Sequence, residues 1–437
     1  MSNHPIASRR ISGKSPLSGE LTVPGDKSIS HRSIMFGSLA EGETVVHGFL
    51  HGEDNHATLN AFRAMGIEIA EEQGGLLRIS GRGLHGLQEP SDVLDCGNSG
   101  TTMRLMTGLL SGQQFFSVLS GDQYLRRRPM KRVVAPLGEM GAQIFGRGGG
   151  DLAPLAISGS SLRGYEYSSP IASAQVKSAL LLAGLYADGP TTVFEPHLSR
   201  DHSERMLGYF GAKLQALDGG VSIEPQPHLV GREVHVPGDI SSAAFYLVAA
   251  SIVPGSELLL RNVGVNPTRS GILDILDAMG ANIERLNPRE LSGEPVADLL
   301  VRSADLMGIE IGGEVVPRAI DEFPVVSVAA CFAEGETVIR DAKELRVKET
   351  DRIAAMTSEL VKLGGVVEAR EDGMLIQGVG ELKGGTVTSH GDHRIAMSMA
   401  VAALRGQASV SVSDTECTET SFPGFWESLA TIGAEVA

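Results

Sequence analysis

The pattern of apolar and polar positions along the chain repeats six times. In each copy an apolar helical segment ends at a glycine, and a short segment of alternating character follows: "FRAMGIEI", "LGEMGAQI", "LGYFGAKL", "LDAMGANI", "LVKLGGVV" and "LATIGAEV". A glycine after a helix suits the position where the backbone takes a positive φ, and alternation indicates a strand. The six glycines are Gly66, Gly141, Gly211, Gly280, Gly364 and Gly433.

A second pattern, an apolar helix running into a glycine turn and a strand, precedes each copy. Its six segments are "LAEGETVV", "LLSGQQFF", "YADGPTTV", "IVPGSELL", "FAEGETVI" and "LRGQASVS". Together the two patterns divide the chain into six α/β units of roughly 70 residues each, which is longer than the usual solenoid repeat of about 20–50 residues. We therefore expect each unit to form a small α/β layer of its own.

The segment "VPGD" occurs twice, at Val23 and Val236, so the offset is 236 − 23 = 213 residues in a chain of 437. It opens the first and the fourth unit, which predicts two similar lobes of three units each. We place the first lobe at residues 26–240 and the second at 1–25 with 241–437, with the active site in the cleft between them. The strand "LSGELTVPG" is expected in the second lobe, and the N-terminal "MSNHPIASRRISGKS" is expected to be a frayed end.

Composition narrows the class of protein. The formal net charge of −16 argues against a general nucleic-acid binder. No apolar run is long enough to span a bilayer, and the N-terminus lacks the apolar core of a signal peptide. Three cysteines without metal-ligand spacing suit a reducing cytoplasm. These features indicate a cytoplasmic protein without membrane or nucleic-acid partners.

A polar motif stands at the start of the first helix of every unit: "GDKSISHRS", "GNSGTTMRL", "ASAQVKSAL", "GDISSAAFY", "IDEFPVVSV" and "GDHRIAMSM". The N-terminus of a helix offers free N–H groups and about +0.5 of a charge, so it attracts anions. If the repeat directs these helix starts into one cleft, that cleft should bind anions.

Cations accompany these helix starts. The motifs contain Lys27, Arg32, Arg104, Lys177 and Arg394. Two loop clusters add "LRRRPMKR", with Arg126, Arg127 and Arg128, and "ELRVKETDR", with Arg346, Lys348 and Arg352. The alternative to anion binding is that both loop clusters are ordinary charged surface exposed to solvent. Lys348 and Arg352, four residues apart, would repel each other on one helix face unless an anion lies between them.

Other motifs of catalysis are lacking. "GDKS" has Asp26 where a P-loop requires glycine, and no dinucleotide-binding fingerprint, zinc-helix or nucleophile-elbow motif is found. We therefore predict no metal and no cofactor. Asp321, in "AIDEFP", is either a helix cap or, if it faces an anion-filled cleft, a general base.

The motifs "PGDKSISHRS", "GNSGTTMR", "RRRPM", "ASAQVKSALLLAGL", "IDEFP", "RVKETDR" and "DHRIAM" resemble the 5-enolpyruvylshikimate-3-phosphate synthase family, in order, over residues 14–425. "RDHSERML" and "NPTRSGILDIL" are similar to the branch that includes glyphosate-tolerant bacterial enzymes. The resemblance implies an α/β (α+β) fold of two similar lobes, each of three βαβαββ units in an inside-out α/β barrel, six repeats in all. It also implies a monomer in the shikimate pathway that leads to chorismate and the aromatic amino acids.

The implied reaction joins shikimate 3-phosphate and phosphoenolpyruvate and releases phosphate through a tetrahedral intermediate. The family's motifs put Asp321 in the role of general base on the 5-hydroxyl, and Lys27 or Glu349 as the group that delivers the proton to C3. The residues implied for shikimate 3-phosphate are Lys27, Ser28, Arg32, Ser173, Ala174, Gln175, Arg200, Asp321 and Lys348. The residues implied for phosphoenolpyruvate are Lys27, Asn98, Gly100, Arg128, Gln175, Arg352 and Arg394.

Three positions depart from the family pattern or bear on inhibition. Ala174 stands where many members have serine, and Arg200 could replace the lost phosphate contact. Thr420 stands where many members have lysine, which puts one phosphoenolpyruvate contact in doubt. Gly100 is retained where the tolerant relatives carry alanine, so we expect glyphosate to bind.

Two rival functions remain. UDP-N-acetylglucosamine enolpyruvyl transferase shares the architecture but places a reactive cysteine in the loop that here reads "GDQYLRRRPM". A non-catalytic anion- or RNA-binding protein would need aromatic residues interleaved with the arginines, and aromatic residues make up 5% of the chain.

Overall fold

The computed structural model describes residues 7–13, 15–72 and 75–437. The strands are β1 (Ser8–Ser12), β2 (Ser18–Leu21), β3 (Glu41–His47), β4 (Glu68–Glu72), β5 (Leu76–Arg82), β6 (Leu94–Asp95), β7 (Phe116–Ser120), β8 (Gln143–Gly146), β9 (Leu152–Ser158), β10 (Tyr165–Ser168), β11 (Thr191–Phe194), β12 (Leu214–Leu217), β13 (Gly220–Ile223), β14 (Glu233–His235), β15 (Glu257–Gly264), β16 (Asn282–Leu291), β17 (Glu294–Arg302), β18 (Glu310–Ile311), β19 (Glu336–Ile339), β20 (Val366–Arg370), β21 (Gly373–Gln377), β22 (Gly385–Thr388), β23 (Val410–Ser413) and β24 (Glu435–Val436).

The helices are α1 (Lys27–Leu39), α2 (Glu53–Ala64), α3 (Gly100–Ser111), α4 (Lys131–Glu139), α5 (Arg147–Gly150), α6 (Ala174–Gly184), α7 (His202–Phe210), α8 (Ile240–Ile252), α9 (Gly271–Ala278), α10 (Val315–Ala319), α11 (Phe323–Phe332), α12 (Arg352–Lys362), α13 (His393–Ala403) and α14 (Phe425–Thr431). Within the described ranges, no helix has the length and apolar character needed to cross a membrane.

The strands form six four-stranded sheets, three in each of two compact units. The first lobe contains the sheets β14-β3-β5-β4, β6-β7-β9-β8 and β10-β11-β13-β12. The second lobe contains β16-β17-β15-β2, β18-β19-β21-β20 and β22-β23-β1-β24. In a typical sheet, a helix lies between two parallel strands along the chain, as α6 lies between β10 and β11. Two further strands then add antiparallel pairs, as β12 and β13 do here. The prediction of an α/β fold with two lobes of three βαβαββ units is confirmed.

The six glycines of the first repeat pattern all have positive φ, between 84° and 113°. Each follows a helix and precedes a strand, so the backbone reverses where glycine avoids the steric cost of a Cβ atom. The sequence pattern therefore located the six helix-to-strand turns correctly.

The strand before each "VPGD" segment belongs to a different lobe from the helix that follows the segment. β2 precedes α1 along the chain but pairs with β15 in the second lobe. β14 directly precedes α8 of the second lobe along the chain, but it pairs in parallel with β3 of the first lobe. The twin "VPGD" segments therefore mark the two points, Pro24 to Gly25 and Pro237 to Gly238, where the chain passes from one unit to the other.

One helix of each unit is enclosed by its lobe on nearly all sides. All thirteen residues of α8 and all residues of α11 and α13 are buried, as are most residues of α1, α3 and α6. A helix that is apolar around most of its circumference belongs in a core. These six helices are the ones whose starts carry the polar motifs, so each motif lies at the end of a buried helix.

The N-terminal segment differs from the prediction of a frayed end. Residues 8–12 form β1, which pairs antiparallel with β23 and β24, and Ile11 is fully buried. A strand with one apolar side chain shows no recognisable alternation of apolar and polar residues. The strand that pairs with it also lies some 400 residues away in sequence, since Ile11 pairs with Val410. Residues 1–6 and 14 lie outside the described residues.

The lobe boundaries differ from the predicted ones at a hairpin. Residues 290–294, at the tip between β16 and β17, belong to the first compact unit, although the prediction kept them with the second lobe. Glu294 accounts for this placement, because its Oε1 lies 2.8 Å from Nδ1 of His202 and both side chains are almost fully buried. Burial alone would lower the pKa of His202, but Glu294 raises it above its ordinary value.

Replacing Glu294 by glutamine should destabilise the first lobe in a pH-dependent way. The raised folded-state pKa of His202 gives stability that is present in full below pH ~6.5 and is lost as pH rises through the folded pKa. Removing one partner of a buried pair costs about 3 kcal/mol. We expect Glu294→Gln to lower the urea midpoint at pH 6, and the difference from the unmutated chain to narrow above the folded pKa. Equal midpoints for Glu294→Gln and the exposed control Glu290→Gln at pH 6 would contradict this.

Candidate functional site

The buried helices of the first lobe begin with side-chain caps. Asp26 accepts a hydrogen bond from the backbone N–H of Ile29 at 2.9 Å, and Ser99 accepts one from Thr102 at 3.1 Å. Ser173 holds the same position at the start of α6. The caps satisfy one N–H each and leave other N–H groups of the first turn available to an anion. The helix starts therefore have the geometry that the sequence motifs predict.

Lys27 and Arg32 project from the first turns of α1 into different surroundings. Nζ of Lys27 forms an ion pair with Asp54 and keeps a fifth of its side chain exposed. Arg32 is buried, and its guanidinium donates to Oγ of Ser203 at 2.7 Å, to Oγ of Ser178 at 2.8 Å and to the carbonyl of Ser28 at 2.9 Å. Burial lowers the pKa of Arg32 to about 10, so the side chain stays charged at neutral pH.

Arg104 and Gln175 join the starts of α3 and α6. Nη1 of Arg104 donates to Oε1 of Gln175 at 2.6 Å, and Nε2 of Gln175 donates to Oγ1 of Thr101 at 3.0 Å. Sequence reasoning counted Arg104 among the cations but assigned it no role. Its position indicates that it fixes Gln175, one of the predicted substrate contacts.

Gly100 lies against two guanidinium groups. A Cβ atom at this position would be 3.0 Å from Nη1 of Arg104 and 3.1 Å from Cζ of Arg128. Asn98, two residues earlier, donates to Asp122 at 2.8 Å, and Asp122 also accepts from the backbone N–H groups at the start of the arginine loop. Three predicted phosphoenolpyruvate contacts, Asn98, Gly100 and Arg128, therefore lie around the start of α3 and the arginine loop. Arg128 is half-buried, while Arg126 and Arg127 are exposed.

The start of α6 is organised by a buried carboxylate that sequence reasoning missed. Glu195 accepts from the backbone N–H of Ser173 at 3.0 Å and from Oγ of Ser199 at 2.7 Å. It thereby fixes the segment that contains Ala174 and the loop that ends at Arg200, both of which are partly exposed.

Lys177 differs from its predicted place among the anion-binding cations. It is almost fully buried, and its Nζ lies 2.9 Å from Glu195 and 2.8 Å from Glu204. Burial alone would lower the pKa of Lys177, but the two glutamates raise it. Because two carboxylates already neutralise this ammonium group, it serves the packing of the first lobe. A one-dimensional pattern cannot reveal this, since Lys177 and Arg104 occupy similar positions in their motifs.

At the start of α8, the first helix of the second lobe, two carboxylates pair with a buried arginine. Asp239 caps α8 by accepting from the N–H of Ser241 at 2.8 Å, and it forms an ion pair with Arg269 at 3.2 Å. Arg269 also lies 3.0 Å from the fully buried Glu322. At the position matching Lys27 the chain has Ile240. The start of α8 is therefore filled by an internal ion-pair network.

Arg352 is the most enclosed cation of the second lobe, with 1% of its side chain exposed. Its guanidinium lies 2.8 Å from Asp392, 2.7 Å from Glu349 and 3.2 Å from Asp321. Burial alone would lower the pKa of Arg352, but Asp392, Glu349 and Asp321 raise it far above its ordinary value. Asp392, the N-cap of α13, is fully buried and was not predicted as a site residue.

Asp321 lies between two cations. Its Oδ1 is 3.3 Å from Nζ of Lys348 and 3.2 Å from Nη1 of Arg352, and its carbonyl accepts from Nη1 of Arg394 at 3.1 Å. Asp321 is not the N-cap of α11, which was one of its two predicted roles, because α11 begins at Phe323 and Glu322 holds the N-cap position. Burial lowers the pKa of Lys348, while Asp321 opposes that shift. The cluster thus unites four predicted residues, Asp321, Lys348, Glu349 and Arg352, with Arg394 beside them.

The histidines of "HGDHR" do not form a metal site in the described structure. Nε2 of His390 lies 2.8 Å from the buried Glu359, and His393 is buried in the first turn of α13. Thr420 is partly buried in a short 3₁₀ turn, Glu416–Thr420, that packs against α13.

Comparisons with known proteins identify the family. The chain matches the EPSP synthase (3-phosphoshikimate 1-carboxyvinyltransferase) family over residues 11–429. It is 70% identical over 411 residues to the 3-phosphoshikimate 1-carboxyvinyltransferase of Syntrophotalea carbinolica, covering 94% of this chain and 95% of that protein. It is 65% identical over 425 residues to the protein of that name from Geobacter sulfurreducens, covering 97% of both.

Solved structures show the same likeness. An EPSP synthase from Acinetobacter baumannii has a TM-score of 0.89 at 47% identity, covering 99% of this chain and all of that one. The enolpyruvyl transferase NikO from Streptomyces tendae has a TM-score of 0.80 at 17% identity, which shows a shared fold only. Family match, relatives and fold lead to one conclusion: the chain belongs to the EPSP synthase (3-phosphoshikimate 1-carboxyvinyltransferase) family.

Proposed function

We propose that the chain transfers the carboxyvinyl group of phosphoenolpyruvate to the 5-hydroxyl of shikimate 3-phosphate and releases phosphate. The observation that carries this proposal is the Asp321 cluster, a carboxylate held within 3.3 Å of Lys348 and Arg352 on the family's motifs. Both substrates are polyanions, so an acidic protein needs cations gathered locally to bind them.

The reaction begins at the 5-hydroxyl. Asp321 takes its proton as the oxygen attacks C2 of phosphoenolpyruvate, while C3 receives a proton from Lys27 or Glu349. In the free enzyme Asp321 forms ion pairs with Lys348 and Arg352, which hold its carboxylate in place.

The tetrahedral intermediate then loses phosphate from C2 and one proton from the C3 methyl group, which returns to the group that delivered the first proton, so the C2–C3 double bond forms again. Guanidinium groups suit this step because their planar N–H groups bind phosphate and carboxylate in pairs. The phosphoenolpyruvate side comprises Arg128, Arg394, Arg352, Gly100 and Asn98, with Lys27 and Gln175. Cations fixed before the reaction stabilise the charge that develops on the departing phosphate.

Shikimate 3-phosphate is assigned mainly to the first lobe. Its proposed contacts are Lys27, Ser28, Arg32, Ser173, Ala174, Gln175 and Arg200, with Asp321 and Lys348 from the second lobe. Arg200 supplies the contact that alanine at position 174 removes. Holding the attacking oxygen near C2 with water excluded contributes about 7–11 kcal/mol in favourable systems.

The remaining proposals concern the setting of the enzyme. We place it in the cytoplasm as a monomer that needs no cofactor for this reaction. All three cysteines are free thiols, which agrees with a reducing compartment.

A phosphate-release assay tests the function. We expect release to require both shikimate 3-phosphate and phosphoenolpyruvate, and to be absent when UDP-N-acetylglucosamine replaces the shikimate compound. Release with the nucleotide sugar in place of shikimate 3-phosphate would favour the rival transferase. No release with either acceptor would reject carboxyvinyl transfer.

Asp321→Asn tests the general base. Asparagine keeps the size of the side chain but cannot accept the hydroxyl proton, and general bases contribute about 10²–10⁴-fold to rate. We expect kcat to fall at least about 100-fold while the KM for phosphoenolpyruvate changes little. The exposed Asp305→Asn, in the same lobe, is the matched control and should behave as the unmutated enzyme. If Asp321→Asn keeps most of its kcat, another group is the base.

Gly100→Ala tests the phosphoenolpyruvate side of the first lobe. The new methyl group would lie about 3 Å from the guanidinium groups of Arg104 and Arg128, so those groups must move. We expect a higher KM for phosphoenolpyruvate and weaker inhibition by glyphosate, which should compete with phosphoenolpyruvate in the unmutated enzyme. Gly138→Ala is the control, because a Cβ atom there meets nothing within 4 Å. Unchanged KM and inhibition in Gly100→Ala would place these ligands elsewhere.

A further inference from the structure

Three side chains that have no assigned role in the reaction converge on the exposed face of the first lobe's sheet β14-β3-β5-β4. β3 and β14 run parallel, and His47 is paired in register with His235, while Glu233 lies two residues earlier on β14. Successive side chains of a strand point to opposite faces. Val46 and Val234, between these polar residues, are fully buried, so His47, Glu233 and His235 share the outer face.

Their ligand atoms are close together. Oε1 of Glu233 lies 2.8 Å from Nε2 of His47 and 3.5 Å from Nε2 of His235, and the three ligand atoms all lie within 4.8 Å of one another. Neighbouring ligands of a tetrahedral zinc ion are about 3.3 Å apart, given bonds of about 2.0–2.1 Å. The two separations from Glu233 bracket that value.

The two imidazole rings stack, with centroids 4.5 Å apart and planes 9° apart. Two protonated rings in this arrangement would repel each other, because like charges a few ångströms apart are destabilising. A metal ion avoids this repulsion because it binds the lone pair of a neutral ring; since that lone pair lies in the ring plane, the two rings must turn out of the stack to share one ion. Imidazole and carboxylate together suit zinc and neighbouring transition metals.

Neighbouring side chains hold the backbone of two of these residues. The hydroxyl of Tyr209 donates to the carbonyl of Glu233 at 2.8 Å, and the N–H of His235 donates to Oγ of Ser292 at 2.9 Å. All three side chains are between about a third and two thirds exposed, which leaves an ion free access. We propose that His47, Glu233 and His235, none of which is assigned to carboxyvinyl transfer, form a binding site for a divalent transition-metal ion.

The other cluster of this kind in the described structure is less suited to a cation. It consists of His51, His56 and Glu71, but Nη2 of Arg63 already lies 3.1 Å from Oε1 of Glu71. The His51 and His56 rings are tilted 40° to each other, and Nδ1 of His51 is 3.7 Å from Glu71. A resident arginine charge competes with a metal ion, so this cluster serves as an internal comparison.

A bound ion would tie β14 to β3 at the end of the lobe's last strand. Val236, the residue after His235, donates its N–H to the carbonyl of His47, and the chain leaves the first lobe two residues later. The ion would therefore stabilise the strand that closes this sheet. Because a ligand that binds only the folded state raises its stability, zinc should raise the thermal midpoint.

Zinc titration of the untagged, chelator-treated full chain tests the proposal. We expect one zinc ion per chain with a Kd in the micromolar range or below, and Co²⁺ absorption bands typical of tetrahedral nitrogen and oxygen ligands. His47→Ala with His235→Ala should abolish this binding, and Glu233→Gln should weaken it about tenfold or more. Both variants should lose the zinc-induced rise in thermal midpoint.

His51→Ala with His56→Ala is the matched control and should bind zinc as tightly as the unmutated chain. The proposal is overturned if the unmutated chain binds no zinc below about 100 µM. It is equally overturned if the His47 and His235 double variant keeps the binding, or if the His51 and His56 double variant loses it. Phosphate release is not part of this readout, so the result is independent of the proposed activity.

Discussion

Opposite charges facing each other at the starts of buried helices are the interaction on which the candidate site depends. Arg352, with 1% of its side chain exposed, meets three carboxylates, and Asp321 in turn meets Lys348. In the first lobe Lys27 pairs with Asp54, and Arg104 bonds to Gln175. A buried charge without such partners would cost several kcal/mol. The cations can therefore be fixed before any substrate arrives, which is what catalysis by a preorganised charge distribution requires.

The twin "VPGD" segments show how one repeated module serves two purposes. Asp26 and Asp239 both cap a buried helix. Behind Asp26 the chain continues with Lys27, which remains partly exposed; behind Asp239 it continues with the buried Ile240. The network of Asp239, Arg269 and Glu322 then neutralises itself. In the second lobe the available charge lies instead around Asp321 and Arg394, so the repeat supplies the scaffold and local substitutions decide which helix start can face a substrate.

Sequence reasoning predicted the repeat well, because its signals are local. The glycines at helix ends and the caps at helix starts depend on residues within one turn, and all six glycines adopt the expected positive φ. It failed where the deciding partner is distant. β1 was missed because its partners are β23 and β24, and residues 290–294 were assigned to the wrong lobe because the partner of Glu294 is His202. Lys177 was misread because Glu195 and Glu204 neutralise it from other elements.

The family motifs supplied residue roles that no periodicity could give, and the structure added the groups that hold those residues. Hydrogen bonds join Ser173 to Glu195, Gln175 to Arg104, and Arg352 to Asp392. The central proposal is that the cations at these helix starts engage one pair of small phosphorylated acids. A crystal structure with shikimate 3-phosphate and a phosphoenolpyruvate analogue bound measures this directly. The account predicts that Lys27, Arg128, Lys348 and Arg394 all lie within about 3.2 Å of ligand oxygens; ligands bound with those four side chains dispersed on separate surfaces would contradict it.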